Sequence, residues 1–454
     1  MKNIKIIIIC AALLGCNVAC KTHLPSKTWD EAGYNADSDI VPGINGYKGL
    51  SINYKRNGKS ILTVRLEDPV IVGVAAKEEK WGFFQFPGIY RSLDNAIVAK
   101  WNMCPDDIAF YGKWDESYSI SNDEGKSWSL TQKEPVIGGG LILPDGDRIE
   151  INTPPSLKVE DLQLPKPVWS NKDVYGREIV YYKHSELPKV LQGVYLNRLT
   201  KGSASWTMEH EVLNDSLAVR ESDWGMFPVT WWGDMRISAD GSIIAGIYPG
   251  YILGEDGTVD LSGISFYRST DKGHTWDYQG RISIPALQSE TNGNTLPVVC
   301  FYEPGFEILS DGSFLCVMRT GDVSPMYFSR STDQGRTWSK PEAFTRNGVL
   351  PRLLQMDNGV IVLASGRPGV QLRFCTDGKG EKWTDPFEML PFEYKKKELY
   401  YEYSATCGYT GLLSVGPDSF LLIYSDFKYQ TQTGQIRKAI KVRHVVVTPI
   451  VTCK

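Results

Sequence analysis

One carboxylate setting recurs along this chain. Asp123, Asp271 and Asp333 each stand in a Ser-x-Asp-x-Gly-x-Ser/Thr-Trp box, within SISNDEGKSWSL, YRSTDKGHTWDY and SRSTDQGRTWSK. An aspartate flanked by hydroxyls could do catalysis, or it could accept backbone N–H bonds inside a tight turn. The other letters favour the turn. Glycine supplies a conformation that other residues resist, Ser or Thr adds a local hydrogen bond, and Trp buries its ring between neighbouring sheets. The boxed aspartates are therefore expected to brace hairpins, and the chemistry must come from elsewhere. The cysteines offer none: Cys104, Cys300, Cys316, Cys375, Cys407 and Cys453 are scattered without a Cys-x-x-Cys pair, which argues against a zinc site. They read as small buried strand residues.

The elements that carry the boxes are short strands. Apolar runs such as GSIIAGIYPG, GSFLCVMRTG, NGVIVLASG and DSFLLIYSD stand at turn signals, namely Asp240-Gly241, Asp311-Gly312, Asn358-Gly359 and Pro417-Asp418. Such dipeptides fit the positive-φ positions of two-residue hairpins. A degenerate box, CTDGKGEKW, follows at Cys375; from Asp271 the boxed aspartates are spaced 62 and then 44 residues apart (Asp333, Asp377). Small sheets repeated at roughly 40–50 residues predict a β-propeller. The gap from Asp123 to Asp271 must hold at least one sheet that lacks the box. The C-terminal KAIKVRHVVVTPI reads as a strong strand, and closure by a strand within GLSINYKRNGKSILTVRL would remove a free edge.

The 454 residues suffice for one large β architecture. The balance of 49 basic against 53 acidic residues, with no long basic run, gives no footprint for nucleic acid.

Residues 1–20 form a separate object. Lys2 and Lys5 precede an apolar run from Ile6 to Leu14, too short to span a bilayer as a mature helix. Leu13-Leu14-Gly15-Cys16 resembles a bacterial lipoprotein cleavage box, with Cys16 as the lipidated residue and Cys20 a weaker second candidate. The expectation is a signal peptide at 1–20, a polar tether at 21–40 and a propeller domain at 41–454. The lipid would hold the domain to a membrane of the bacterial cell envelope, facing the periplasm or the cell surface. Little acidity follows Cys16, which favours the periplasmic side.

Three segments resemble the sialidase (neuraminidase) superfamily, whose members are six-bladed propellers with such boxes, also called Asp-box or BNR repeats. YEPGFEILSDGSFLCVMRTGD is similar to the segment in which a Glu begins one strand and an Arg ends the next, which implies Glu303 and Arg319. LASGRPGVQLRFCTDG is similar to the following segment and implies Arg367, with Arg373 as a structural arginine. CGYTGLLSVGPDSFLLIYSD is similar to the segment of the family's nucleophile and implies Tyr409. The N-terminal match is poorer. In FQFPGIYRSLDNAIVAK Pro87 fits, but Gln85 stands where the family has an arginine, and the general acid implied before the first box is Asp106 or Asp107.

The residue types suit those roles. Paired arginines match an acidic ligand. A phenol ordinarily ionises near pH ~10, so Tyr409 needs Glu303 to take its proton. A neutral nucleophile also avoids repulsion from an anionic sugar, which is why sialidases depart from the two-carboxylate rule. Asp106 or Asp107 would protonate the leaving oxygen. Arg352 could replace the missing arginine. Trp231 and Trp232 must face opposite sides of a strand, so at most one meets sugar, with Asp234 nearby. Glu221 and Asp223 could bind sugar hydroxyls.

The resulting expectation is an all-β, six-bladed propeller of four-stranded antiparallel sheets, monomeric, acting as an exo-glycosidase on a terminal acidic sugar with no metal or organic cofactor implied. Gln85 leaves two other readings open: a propeller hydrolase or lyase for a different glycan, and a glycan-binding lipoprotein without catalysis.

Overall fold

The computed structural model describes residues 48–450, apart from 132–136, 173–175, 177, 224, 262, 284–299, 321–324, 346–347, 368 and 391–404. The export segment with Cys16, the tether at 21–40 and Cys453 lie outside the described residues.

The chain is all-β and built from short antiparallel sheets laid down in chain order. Gln85–Arg91, Ile97–Asn102, Glu116–Ser121 and Ser129–Thr131 make one four-stranded sheet. Tyr302–Ile308, Phe314–Arg319, Tyr327–Ser331 and Glu342–Ala343 make another, followed by Val349–Gln355, Ile361–Gly366, Val370–Cys375 and Phe387–Leu390. The box-free sheet expected before Asp271 is present as Leu141–Ile142, Arg148–Ile151, Val194–Leu199 and Thr207–Asn214. The last of these strands joins in parallel to Thr275–Ile282, the outer strand of the sheet that begins with Trp232–Ile237. A three-stranded sheet that the repeat does not foretell, Trp169–Lys172, Glu178–Lys183 and Val219–Ser222, is inserted between these strands.

The ends of the chain close the fold. Ile436–Pro449 pairs on one side with Ser419–Gln430 and on the other with two N-terminal strands, Lys59–Leu66 and Val70–Val74. Its fourteen residues let one strand hold both. The edge that a single short partner would leave exposed is thereby covered.

The boxes act as braces. In the third, the Ser331 hydroxyl donates to Asp333 at 2.7 Å and accepts from the Gly335 N–H at 2.8 Å, while Thr337 donates from both its N–H and its hydroxyl to Asp333. The Trp338 indole donates to the Gly335 carbonyl, and its ring lies 4.3 Å from Phe266 of the neighbouring sheet. Asp123 and Asp271 repeat the pattern, and in the degenerate copy the Cys375 thiol takes the serine's place. All five described cysteines are buried and unbridged.

The first strands of successive sheets touch one another: Trp232–Ile237 meets Tyr302–Ile308, which meets Val349–Gln355, which meets Thr410–Gly416, which meets Gln85–Arg91. Residues at the starts of these strands are therefore gathered around one centre.

Candidate functional site

A cavity of about 360 Å3 opens where those strands begin. Three first strands aim a side chain into it by the same device. Phe86, Glu303 and Leu350 are each the second residue of their strand, have φ of 52°, 45° and 40°, and lie where the pairing register slips. A proline follows each one (Pro87, Pro304 and Pro351). Proline has no N–H to give a ladder and is tolerated at such a bulge. The bulge turns the preceding side chain out of the strand's alternation and onto the cavity wall. Left-handed backbone at a non-glycine residue carries strain, which the surrounding sheet must hold.

Glu303 is the centre of the cluster. Its Oε1 accepts from the Tyr409 hydroxyl and, at 2.7 Å, from Arg319 Nη1. Its Oε2 accepts from the Leu350 N–H at 2.9 Å. That backbone donor comes from the next sheet, and Gly305 permits it, because a Cβ there would lie 2.2 Å from the Pro351 carbonyl oxygen. Arg319 is fully buried, and its Nη1 also lies 3.4 Å from the Tyr409 oxygen.

Arg367 stands over the phenol ring. Its guanidinium is 5.8 Å from the centre of the Tyr409 ring and 5.7 Å from that of Trp81, and its Nε donates to the Cys407 carbonyl. Gly408, with φ 80°, packs its backbone against Gly366, where a Cβ would come within 2.0 Å of the Gly408 oxygen. This close approach sets Tyr409 beside Arg367. The structure thus brings together Tyr409, Glu303, Arg319 and Arg367, with both arginines buried behind the wall.

The two aspartates separate. Asp106 lines the cavity and accepts from the Trp81 indole at 2.9 Å. Burial pushes its carboxyl above the usual range, opposed by the Trp81 bond and the Arg367 charge and assisted by Glu303. Asp107 instead caps the short helical turn Ile108–Phe110 by accepting from the Ala109 N–H. Its side chain is engaged in holding the local backbone, and of the two aspartates Asp106 is the one on the cavity wall.

The remaining candidates sort by the wall they occupy. Arg352 lines the cavity and donates to Asp234 at 3.3 Å; Asp234 stands behind it and also faces Arg236. Trp232 faces the cavity and donates to the Thr153 hydroxyl, whereas Trp231 is buried against Trp276, as strand alternation requires. Glu221 and Asp223 both line the cavity, on a strand of the inserted sheet and just beyond it. Burial, the charge of Asp223 and a hydrogen bond from Tyr251 leave Glu221 at about 7. Gln85 does not reach the wall: it is fully buried, Phe86 takes that place, and neither of its amide atoms finds a hydrogen-bond partner.

Sequence reasoning missed Trp81, the Leu350 N–H and the aromatic wall of Tyr111, Trp114, Tyr248 and Tyr251. A signal for part of this existed. The strand starts QFPG, YEPG and VLPR repeat a proline at the third position, which marks the bulges.

No family model matches the chain, and no curated protein matches it. Solved structures do. A protein of unknown function from Dyadobacter fermentans is 18% identical over 85% of this chain and 99% of that chain, with a TM-score of 0.56. The K499G mutant of the NanB sialidase from Streptococcus pneumoniae is 13% identical over 83% of this chain and 70% of that one, with a TM-score of 0.45. The alpha-L-arabinanase of Penicillium chrysogenum is 15% identical over 83% and 98%, with a TM-score of 0.44. The likeness to the Dyadobacter protein is one of fold.

Proposed function

We propose that this chain is a retaining glycoside hydrolase of the sialidase type, releasing a terminal acidic sugar from a glycan. The observation that carries this reading is the shared Glu303 oxygen, which accepts at once from the Tyr409 hydroxyl and from Arg319. In the first step the Tyr409 oxygen attacks the anomeric carbon, its proton passes to Glu303, and the bond to the leaving oxygen breaks as Asp106 protonates it. In the second step water attacks the same carbon, Asp106 takes the water's proton, and Tyr409 departs and regains its own from Glu303. A carboxylate on the anomeric carbon would meet Arg352 on the wall, with Arg319 and Arg367 buried close behind the phenol adding their positive charge. The scaffold for this is a six-bladed propeller, held at an envelope membrane by a lipid on Cys16.

A second reading has its own support. Four carboxylates line the cavity, Asp106, Glu221, Asp223 and Glu303, against the single lining arginine among the described residues, Arg352. Such a wall suits a neutral sugar.

Turnover of a fluorogenic sialoside beside matched neutral glycosides tests both. Release from the sialoside, lost in Tyr409→Phe with the fold intact, supports the first reading. Release only from neutral glycosides, also lost in Tyr409→Phe, supports the second. Saturable glycan binding with no turnover of either overturns the enzyme.

A further inference from the structure

Asp106 is held from a turn laid against its own backbone. Residues 80–83 form that turn: the Phe83 N–H donates to the Lys80 carbonyl at 3.4 Å, and Trp81 and Gly82 stand at its centre. Gly82, with φ 98°, has no room for a Cβ, which would lie 2.4 Å from the Cys104 carbonyl oxygen and 2.5 Å from the Asp106 nitrogen. The Asn102 amide ties the two segments together, donating to the Gly82 and Cys104 carbonyls at 2.8 Å each. So docked, the turn brings the Trp81 indole N–H to Asp106 Oδ2 at 2.9 Å.

A second grip comes from Ile436–Pro449, the strand that closes the fold. The Lys438 ammonium donates to the Lys80 carbonyl at 2.6 Å and to the Phe83 carbonyl at 3.1 Å, so one cation spans both ends of the turn. Burial holds its pKa down at about 8, against the pull of Cys407 and Glu79, and it is charged at pH 7. Opposite Lys438 the pairing register slips between Asp426 and Tyr429. Phe427 belongs to that bulge. The centre of its ring lies 4.4 Å from the ammonium and 6.3 Å from that of Trp81, which it meets edge-on. Trp81 is thus held through its backbone by Lys438 and through its ring by Phe427. An ordinary surface lysine keeps its ammonium in water; this one is directed at the turn that carries the donor to Asp106.

We propose that Lys438 and Phe427 are positioning residues for Asp106, acting through Trp81. Their bearing on catalysis rests on the proposed role of Asp106 as the acid, but the positioning is a property of the resting protein. The Trp81 N–H favours the charged carboxylate, so a Trp81 that drifts leaves the Asp106 proton more tightly held. The other charged groups that act on Asp106 are Arg367, Glu303 and Asp107, and none is removed by a change at Lys438 or Phe427.

The test follows the Asp106 carboxyl by carbon NMR of the full chain labelled at its aspartate carboxyls, with the Asp106 resonance assigned by its loss in Asp106→Asn. In Lys438→Met and in Phe427→Leu its titration is expected to move upward, as in Trp81→Phe. Lys438→Arg, which keeps the charge and can still bridge two carbonyls, restores the wild-type value. In the Trp81→Phe background neither change moves it further. A merely structural pair would lower the urea midpoint and leave this titration where it was, or shift it equally with and without the indole; either result overturns the proposal. If Lys438→Met does not fold, Phe427→Leu decides alone. In turnover, both variants should lose about tenfold in kcat on a methyl glycoside and little on an aryl glycoside of the same sugar. A shifted titration with no turnover of any glycoside by the wild-type chain removes the hydrolase and leaves the positioning standing. Turnover with an unmoved titration does the reverse.

Discussion

Arg319 lies within 3.4 Å of the Tyr409 oxygen and also donates to the Glu303 oxygen that the phenol uses. One buried guanidinium thus faces both partners of the proposed proton transfer. It steadies the carboxylate before the reaction and any negative charge that gathers on the phenol during it. Fixed in place by the sheet, it needs no rearrangement to do so.

Glu303→Gln separates these contributions. The amide keeps the shape but cannot take the phenol proton, so kcat is expected to fall by about 10²–10⁴-fold. The change also breaks the buried ion pair between Glu303 and Arg319. Because both groups are buried, the loss should cost about 3–5 kcal/mol in urea unfolding. A variant as active as the wild-type chain would remove Glu303 from the mechanism.

On the proposed mechanism Asp106 sets the alkaline limit. Its carboxyl is held above the ordinary range, chiefly by burial, and it must be protonated to assist the leaving oxygen. Activity should therefore persist above the usual carboxylate range and fall as the pH rises through the raised value. Stability has the same sign: a carboxyl raised in the folded state favours folding below its unfolded pKa, and that contribution is lost as pH rises past the folded one. The Trp81 hydrogen bond opposes the shift, so Trp81→Phe should move the alkaline limb of kcat/KM upward. Asp106→Asn should abolish that limb and slow natural glycosides far more than aryl glycosides, whose leaving groups need little protonation. An alkaline limb that survives Asp106→Asn would assign it elsewhere.

Much of this arrangement was legible in the letters, for reasons that differ by residue. The boxes could be read because every contact that holds Asp333 lies within six residues of it. Glu303, Arg319, Arg367 and Tyr409 could be named only by resemblance, because the contacts that unite them span up to 106 residues. Asp106 and Asp107 are adjacent and chemically identical; only the folded structure tells them apart, by the cap that occupies Asp107 and the Trp81 bond that holds Asp106 at the wall. The inserted sheet that brings Glu221 to the wall has no repeat signature, so its place in the cavity comes from tertiary packing alone.

The braces should matter to stability and not to chemistry. Asp333→Ala removes the acceptor of the Ser331 and Thr337 bonds, at an expected cost of about 1–2 kcal/mol. Those bonds hold the Asp333 carboxyl down at about 2. Their contribution is therefore present above the unfolded carboxyl pKa and is lost as the pH falls toward 2. Urea midpoints at pH 7 and pH 3 should show the variant nearer the wild-type chain at the lower pH. A deficit that does not shrink on acidification would mean the carboxylate charge is irrelevant to the turn.

Gln85 allows a direct separation between a substrate-binding role and that of a buried side chain. Its amide is fully buried, neither of its polar atoms is paired, and it stands off the cavity wall. A buried polar group without a partner costs about 1–3 kcal/mol, whereas an apolar side chain of similar shape pays no such penalty. Gln85→Met should therefore raise the unfolding free energy measured in urea by about 1 kcal/mol, after allowance for imperfect packing, and leave KM for an acidic glycoside unchanged. If Gln85 instead reaches the substrate during binding, the methionine variant will be no more stable and its KM will rise several-fold, which would return the first strand of Gln85–Arg91 to the binding surface.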